Sequence, residues 1–80
     1  MEMEKAFVLI HTETGKENDV LKELKKIEGV EEAFIVHGGY DIVAKLVAKN
    51  IEKLKEIVYS GRLKKIDGIF ATRTLIVLWN

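Results

Sequence analysis

Residues 30–48 read VEEAFIVHGGYDIVAKLVA, and how this stretch folds back on itself decides the architecture. Val30 to His37 has the alternation of a strand, with Phe34 and Val36 on one side and Ala33 and Ile35 on the other. Gly38-Gly39 follows as a two-residue turn, since both positions can take positive φ. Tyr40 to Ala48 then returns as a second strand. The middle of the chain is therefore read as an antiparallel hairpin.

Upstream, Lys5-Ala6-Phe7-Val8-Leu9-Ile10-His11 is β-branched and apolar, which predicts a strand buried on both sides. Thr14-Gly15-Lys16-Glu17 has the T-x-x-E spacing of a capping box. A helix is expected behind it, with Val20, Leu21, Leu24 and Ile27 inward and Gly29 at its end. Downstream, Asn50 is expected to cap a second helix carrying Ile51, Leu54, Ile57 and Val58 on one face. That helix is expected to reach about Lys64, with Gly61 as a point of fraying or kinking. A last strand is read over Ile69 to Trp79.

The order is strand, helix, strand, strand, helix, strand. A weak repeat accompanies it: Lys25-Lys26-Ile27-Glu28-Gly29-Val30 returns as Lys64-Lys65-Ile66-Asp67-Gly68-Ile69. In each half a basic helix end leads through glycine into a strand, as a pseudo-twofold βαβ–βαβ domain requires. The expected fold is α+β and ferredoxin-like: a four-stranded antiparallel sheet, order 4-1-3-2, with two helices on one face. One domain over residues 1–80 is expected.

Composition narrows the function. Thirteen basic and thirteen acidic residues give no net charge, so the basic stripe of a dedicated nucleic-acid domain is missing. With no cysteine, disulfides and thiolate metal sites are ruled out. The start MEMEKAFVLI is too acidic for a signal peptide, and no apolar run could span a bilayer, which makes the cytoplasm the expected location. Charged residues dominated by Lys and Glu, with Gln, Cys and Pro absent, lean toward a heat-adapted source.

Two helices cover one face of a four-stranded sheet, and the other should turn polar if it met water. Here it does not. Phe7 and Leu9 oppose Ala6, Val8 and Ile10; Val43 and Val47 oppose Ile42, Ala44 and Leu46; Leu75, Val77 and Trp79 oppose Phe70, Ile76 and Leu78. Several hundred Å² of such surface exceeds what a monomer normally exposes. At about 25 cal/mol per Å² its burial is worth on the order of ten kcal/mol before association costs. A twofold dimer packed through its sheets is expected, of the dimeric α+β barrel type. Lys45 and Arg73 interrupt the pattern and should lie at an edge, pair with acids or snorkel. The plainer alternative is that strands are simply rich in Val and Ile.

The chain resembles the effector-binding (RAM) domain of the Lrp/AsnC transcription regulators. The resemblance rests on the opening apolar strand, the helix after Gly15, Ile27-x-Gly29-Val30, the hairpin Val36-His37-Gly38-Gly39-Tyr40-Asp41 and the closing Thr72-Arg73-Thr74-Leu75-Ile76-Val77-Leu78. It implies an amino-acid-binding module that dimerises through facing sheets and assembles into rings of dimers. It places the effector at Gly38, Gly39, Tyr40 and Asp41, with Thr72 and Thr74 as companions. Family members carry an N-terminal helix-turn-helix, whereas here the first strand starts almost at Met1. A stand-alone sensor is therefore expected, one that could co-assemble with full-length regulators. His37 stands where relatives often have threonine, so the ligand preference does not transfer.

The chemistry of the residues agrees with a binding role. Asp41 could accept from an ammonium, while N–H groups near Gly38-Gly39 and the Thr72 and Thr74 hydroxyls could donate to a carboxylate. Each also has an ordinary reading: a hairpin turn, a strand-start cap, an edge-strand threonine. His11 and His37 have no partner spacing for catalysis or metal binding, so no enzyme activity, metal or cofactor is expected. Tyr40 is read as a ligand lid or an inter-dimer contact, and Trp79 as a packing anchor. An RNA-binding sheet of the same topology would need exposed aromatics on the third strand, and Asp41-Ile42-Val43-Ala44-Lys45-Leu46-Val47 has none. Two other functions share the fold: a small dimeric α+β barrel enzyme with substrate held against the sheet, and an assembly module without ligand.

Overall fold

A computed structural model describes residues 3–79. Its elements follow the expected order: β1 (Glu4–Thr12), α1 (Glu17–Leu24), β2 (Val30–Ile35), β3 (Ile42–Ala48), α2 (Ile51–Tyr59) and β4 (Ile69–Ile76). The sheet runs β2-β3-β1-β4 with every neighbouring pair antiparallel, which is the 4-1-3-2 order counted from the other edge.

Because directly paired residues share a face, the register sorts the side chains into rows. Val30–Leu46–Ala6–Ile76, Ala33–Ala44–Val8–Thr74 and Ile35–Ile42–Ile10–Thr72 lie on the face under the helices. Val20 and Leu24 of α1 and Leu54 and Val58 of α2 close over these rows, joined by Leu63. Burial is complete at the centre: Ala6, Val8, Ile10, Ile42 and Leu46 expose nothing.

The opposite face is uncovered. Its rows are Phe34–Val43–Leu9–Arg73 and Glu32–Lys45–Phe7–Leu75, with Val47 and Lys5 beyond. Phe34 and Leu75 are about half exposed, at 54% and 49%. Lys45 does not lie at an edge as one reading allowed; it sits on the inner strand β3 and pairs with Glu31 at 3.0 Å. Arg73 is on the edge strand β4.

Several boundaries differ from the sequence reading, each for a local reason. Thr14 forms no capping box, because Gly15 turns the chain at φ +84° and the helix starts only at Glu17, behind Lys16. Asn50 does cap α2, its Oδ1 accepting from the Lys53 N–H at 2.8 Å. Both helices end early: α1 stops at Leu24 and α2 at Tyr59, where Ser60 and Gly61 end the helix. The intervening residues form tight turns whose apolar side chains still face inward, which is why helical periodicity overran them. β4 ends at Ile76, and Trp79 is 84% exposed in the single chain, so it anchors no packing within it.

The repeat is visible in the backbone. Ile27 and Ile66 donate to the carbonyls of Leu24 and Leu63, and Val30 and Ile69 donate to Ile27 and Ile66. Gly29 and Gly68 have φ of +98° and +99°. Each glycine lies against the other half's helix, Gly29 beneath Ile57 and Gly68 beneath Lys16 and Val20.

Candidate functional site

The connection from β2 to β3 is longer than a two-residue turn. β2 ends at Ile35 and β3 resumes at Ile42, and the Val36 N–H donates to the Asp41 carbonyl at 2.8 Å. Gly38 takes φ +152°, while Gly39 does not enter the positive region. The Gly-Gly pair therefore does not form the expected tight turn, because the hairpin stays paired only as far as Val36 and Asp41. Both glycines are exposed, with open space where a Cβ would stand.

Asp41 ties this loop to the end of β1. Its N–H donates to the Ile10 carbonyl at 2.9 Å, and its Oδ2 accepts from the Thr12 N–H at 2.8 Å. The carboxylate does the work of a strand partner where β1 leaves the β3 ladder. Tyr40 stacks on His11, with ring centroids 4.4 Å apart and planes inclined by 28°. His11 shares the side of Phe7 and Leu9, so this stack stands at the rim of the uncovered face. The Thr12 hydroxyl is buried with no hydrogen-bond partner among the described residues.

The six residues read as a site are only partly brought together. Gly38, Gly39, Tyr40 and Asp41 form one loop over the end of β1. Thr72 and Thr74 face the helix side from β4, opposite Ile10 and Val8. They stand two strand spacings from β3, roughly 10 Å. Thr74 is half-buried and Thr72 exposed.

The sequence gives His11 no partner spacing and does not single out Thr12. Both meet residues 29 positions away, a proximity created only by the β1–β3 register. The one sequence signal was their place at the end of the first apolar run.

Chemically, the loop offers a carboxylate, a tyrosine face and exposed backbone at Gly38 and Gly39. That set can hold a small zwitterion. Among the described residues, no three His, Cys, Asp or Glu side chains gather as a metal site, and no helix is long and apolar enough to cross a membrane. A separate open groove on the helix layer, between α1 and residues 62–67, is lined by Lys22, Lys25, Arg62 and Lys65 with Asp19 and Asp67.

Comparison with known proteins adds the family. The model of the Lrp/AsnC ligand binding domain matches residues 5–80. The HTH-type transcriptional regulator FL11 of Pyrococcus furiosus is 36% identical over 73 residues, covering 91% of this chain and 47% of its own length. The chain thus spans about half the length of the curated relatives it matches. Among solved structures, AsnC of E. coli superimposes with a TM-score of 0.84 at 29% identity, over 96% of this chain and 52% of that one. The PHS023 protein of Pyrococcus horikoshii gives a TM-score of 0.86 at 31% identity, over 98% and 93% of the two chains.

Proposed function

This chain belongs to the Lrp/AsnC ligand binding domain family, and from that premise we propose that it is a regulatory module that binds an amino acid or a similar small zwitterion. The effector's ammonium is taken by Asp41 and its carboxylate by backbone N–H groups around Gly38 and Gly39. Tyr40 lies over its side chain, and the threonines Thr72 and Thr74 complete the site from a neighbouring subunit in the assembly. The module is a homodimer through its uncovered sheet face, with dimers associating further into a ring. It acts in transcription regulation, and it can co-assemble with other regulators of its family through matching faces.

One observation carries this reading. At the loop that resembles the family's effector hairpin, Asp41 uses one carboxylate oxygen to hold the Thr12 N–H of β1, and the hydroxyl of that same threonine is buried with no hydrogen-bond partner among the described residues. A non-catalytic role fits the uncovered face as well. Where an enzyme of this fold would hold substrate stand Phe7, Leu9, Val43, Val47 and Leu75, with Lys45 already tied to Glu31.

The test is calorimetric titration with each of the twenty amino acids. Because Asp41 also binds the Thr12 N–H, the informative variant is Asp41→Asn, which keeps an acceptor there and removes the charge. Loss of a charge-assisted hydrogen bond, about 1.5–3 kcal/mol, weakens binding roughly 10- to 100-fold. Saturable binding by the wild type that falls this far in Asp41→Asn, with the melting temperature nearly unchanged, is the expected result. Binding by none of the twenty, or equal binding by the variant, would contradict it.

A further inference from the structure

The duplicated Lys-Lys-Ile-acid-Gly motif brings its two copies to one place. The open groove on the helix layer, about 890 Å³ in volume, takes Lys25, Lys26 and Ile27 from the first copy and Lys65, Ile66 and Asp67 from the second. Ile27 and Ile66 are half-buried against the core and give the groove an apolar floor, while the long charged side chains stand exposed around it. No residue is shared with the hairpin at Gly38 to Asp41.

The two copies are not balanced alike in charge. In the first, Lys26 is held by Glu23, three residues earlier, at 3.0 Å. In the second, Lys65 corresponds to Lys26, and the place of Glu23 is filled by Arg62. The Lys65 N–H donates to the Gly61 carbonyl at 3.0 Å, a helical turn that keeps Arg62 and Lys65 neighbours. An internal ion pair is thereby replaced by two like charges at a spacing where they repel. Lys22 and Lys25 repeat that arrangement on the α1 side. Three carboxylates also line the groove, but Glu23 is taken by Lys26 and Asp67 by Lys16, at 2.9 Å. Asp19 remains, and it too helps to hold the Lys16 ammonium charged. Lys22, Lys25, Arg62 and Lys65 make no ion pair among the described residues. Four unpaired cations around one remaining carboxylate concentrate positive charge here, in a chain whose net charge is zero.

Cations crowded over an apolar floor suit a compact anion of high charge density. An acidic peptide spreads its charges over separate side chains. A phosphate chain gathers several within a few ångströms, and its oxygens match the fork of an arginine as well as the point charge of a lysine. We infer that this groove binds a small anion bearing several phosphate groups, a nucleotide or an inorganic polyphosphate, with the phosphates between the Arg62–Lys65 and Lys22–Lys25 pairs. The volume lies within the roughly 300–1,000 Å³ of sites that hold molecules of this size.

Calorimetric titration of the full chain with inorganic tripolyphosphate and, separately, with ATP in about 50 mM NaCl tests the site. Saturable binding of both is expected. Tighter binding of ATP assigns the nucleotide source, its nucleoside on the isoleucine floor, whereas equal binding assigns the phosphate chain alone. Arg62→Glu restores the charge order of the first copy, so it should melt at or above the wild-type temperature while tripolyphosphate binding weakens at least about tenfold. Asp19→Asn removes the remaining carboxylate and should tighten binding by about threefold. Asp41→Asn, at the hairpin, should leave tripolyphosphate binding unchanged, which keeps loss of this site distinct from loss of effector binding. Absence of saturable binding by both probes would overturn the inference, as would Arg62→Glu binding like the wild type. An oligoglutamate peptide or a short DNA duplex that binds more tightly than tripolyphosphate would also overturn it.

Discussion

At Asp41 a single carboxylate has two tasks, and substitutions separate them. Asp41→Ala leaves the Thr12 N–H without its acceptor, so the folded state should lose about 1–3 kcal/mol. Asp41→Asn should lose far less, and denaturant titration of the pair measures the difference. Lys45 offers a second test. The hydrogen bond and charge of Glu31 hold its ammonium above the ordinary value of 10.5. A group raised on folding contributes its full stabilisation below its unfolded value and loses it as pH rises through the folded one. The gap in melting temperature between wild type and Lys45→Met should therefore be constant from neutral pH to about 10 and close above it. A gap that stays constant through alkaline pH would contradict this account of Lys45. At this scale the sequence was informative about Asp41, whose type and place after Gly38-Gly39 already indicated an acceptor at a turn. The Tyr40–His11 stack was not legible, because no local spacing records which side chain of β1 a loop 29 positions later will meet.

Among the elements, the repeated Lys-Lys-Ile-acid-Gly motif is the clearest case of sequence specifying structure. Both copies make the same turn, and each closes with a glycine in the left-handed region packed under the opposite helix. A Cβ at Gly29 would collide with Ile57 Cδ1, and one at Gly68 would lie 2.8 Å from Lys16 Cβ. Gly29→Ala and Gly68→Ala should each destabilise by about 1–3 kcal/mol through strain and overpacking. Gly39→Ala, in open space without a positive φ, should change stability by no more than about 0.5 kcal/mol. Thermal melts of the three variants check the ranking, and equal losses would contradict it. Element types and order were readable because strand and helix periods differ so clearly here. Helix ends were not, since Ile27 and Ile66 stay in phase with the helical stripe while the backbone has already left the helix.

For the whole molecule, the decisive feature is a sheet with helices on one side only and an apolar surface on the other. That surface was legible from the alternation of Phe7 and Leu9 with Val8 and Ile10, because register in a strand follows from a period of two. The pattern led to the expectation of a second copy over this face, which the proposed dimer adopts and a single chain does not test. Leu75 gives a direct probe: it is half exposed in the single chain, so Leu75→Asp should leave the subunit folded while placing a charge inside the proposed dimer. Dissociation should rise at least about a hundredfold, roughly 3 kcal/mol. The most direct test of the central claim is the mass of the wild type by sedimentation over a dilution series into the low micromolar range. A species of twice the 9.1 kDa chain mass, or a multiple of that, is predicted throughout. A 9.1 kDa species with its near-UV circular dichroism intact would contradict it.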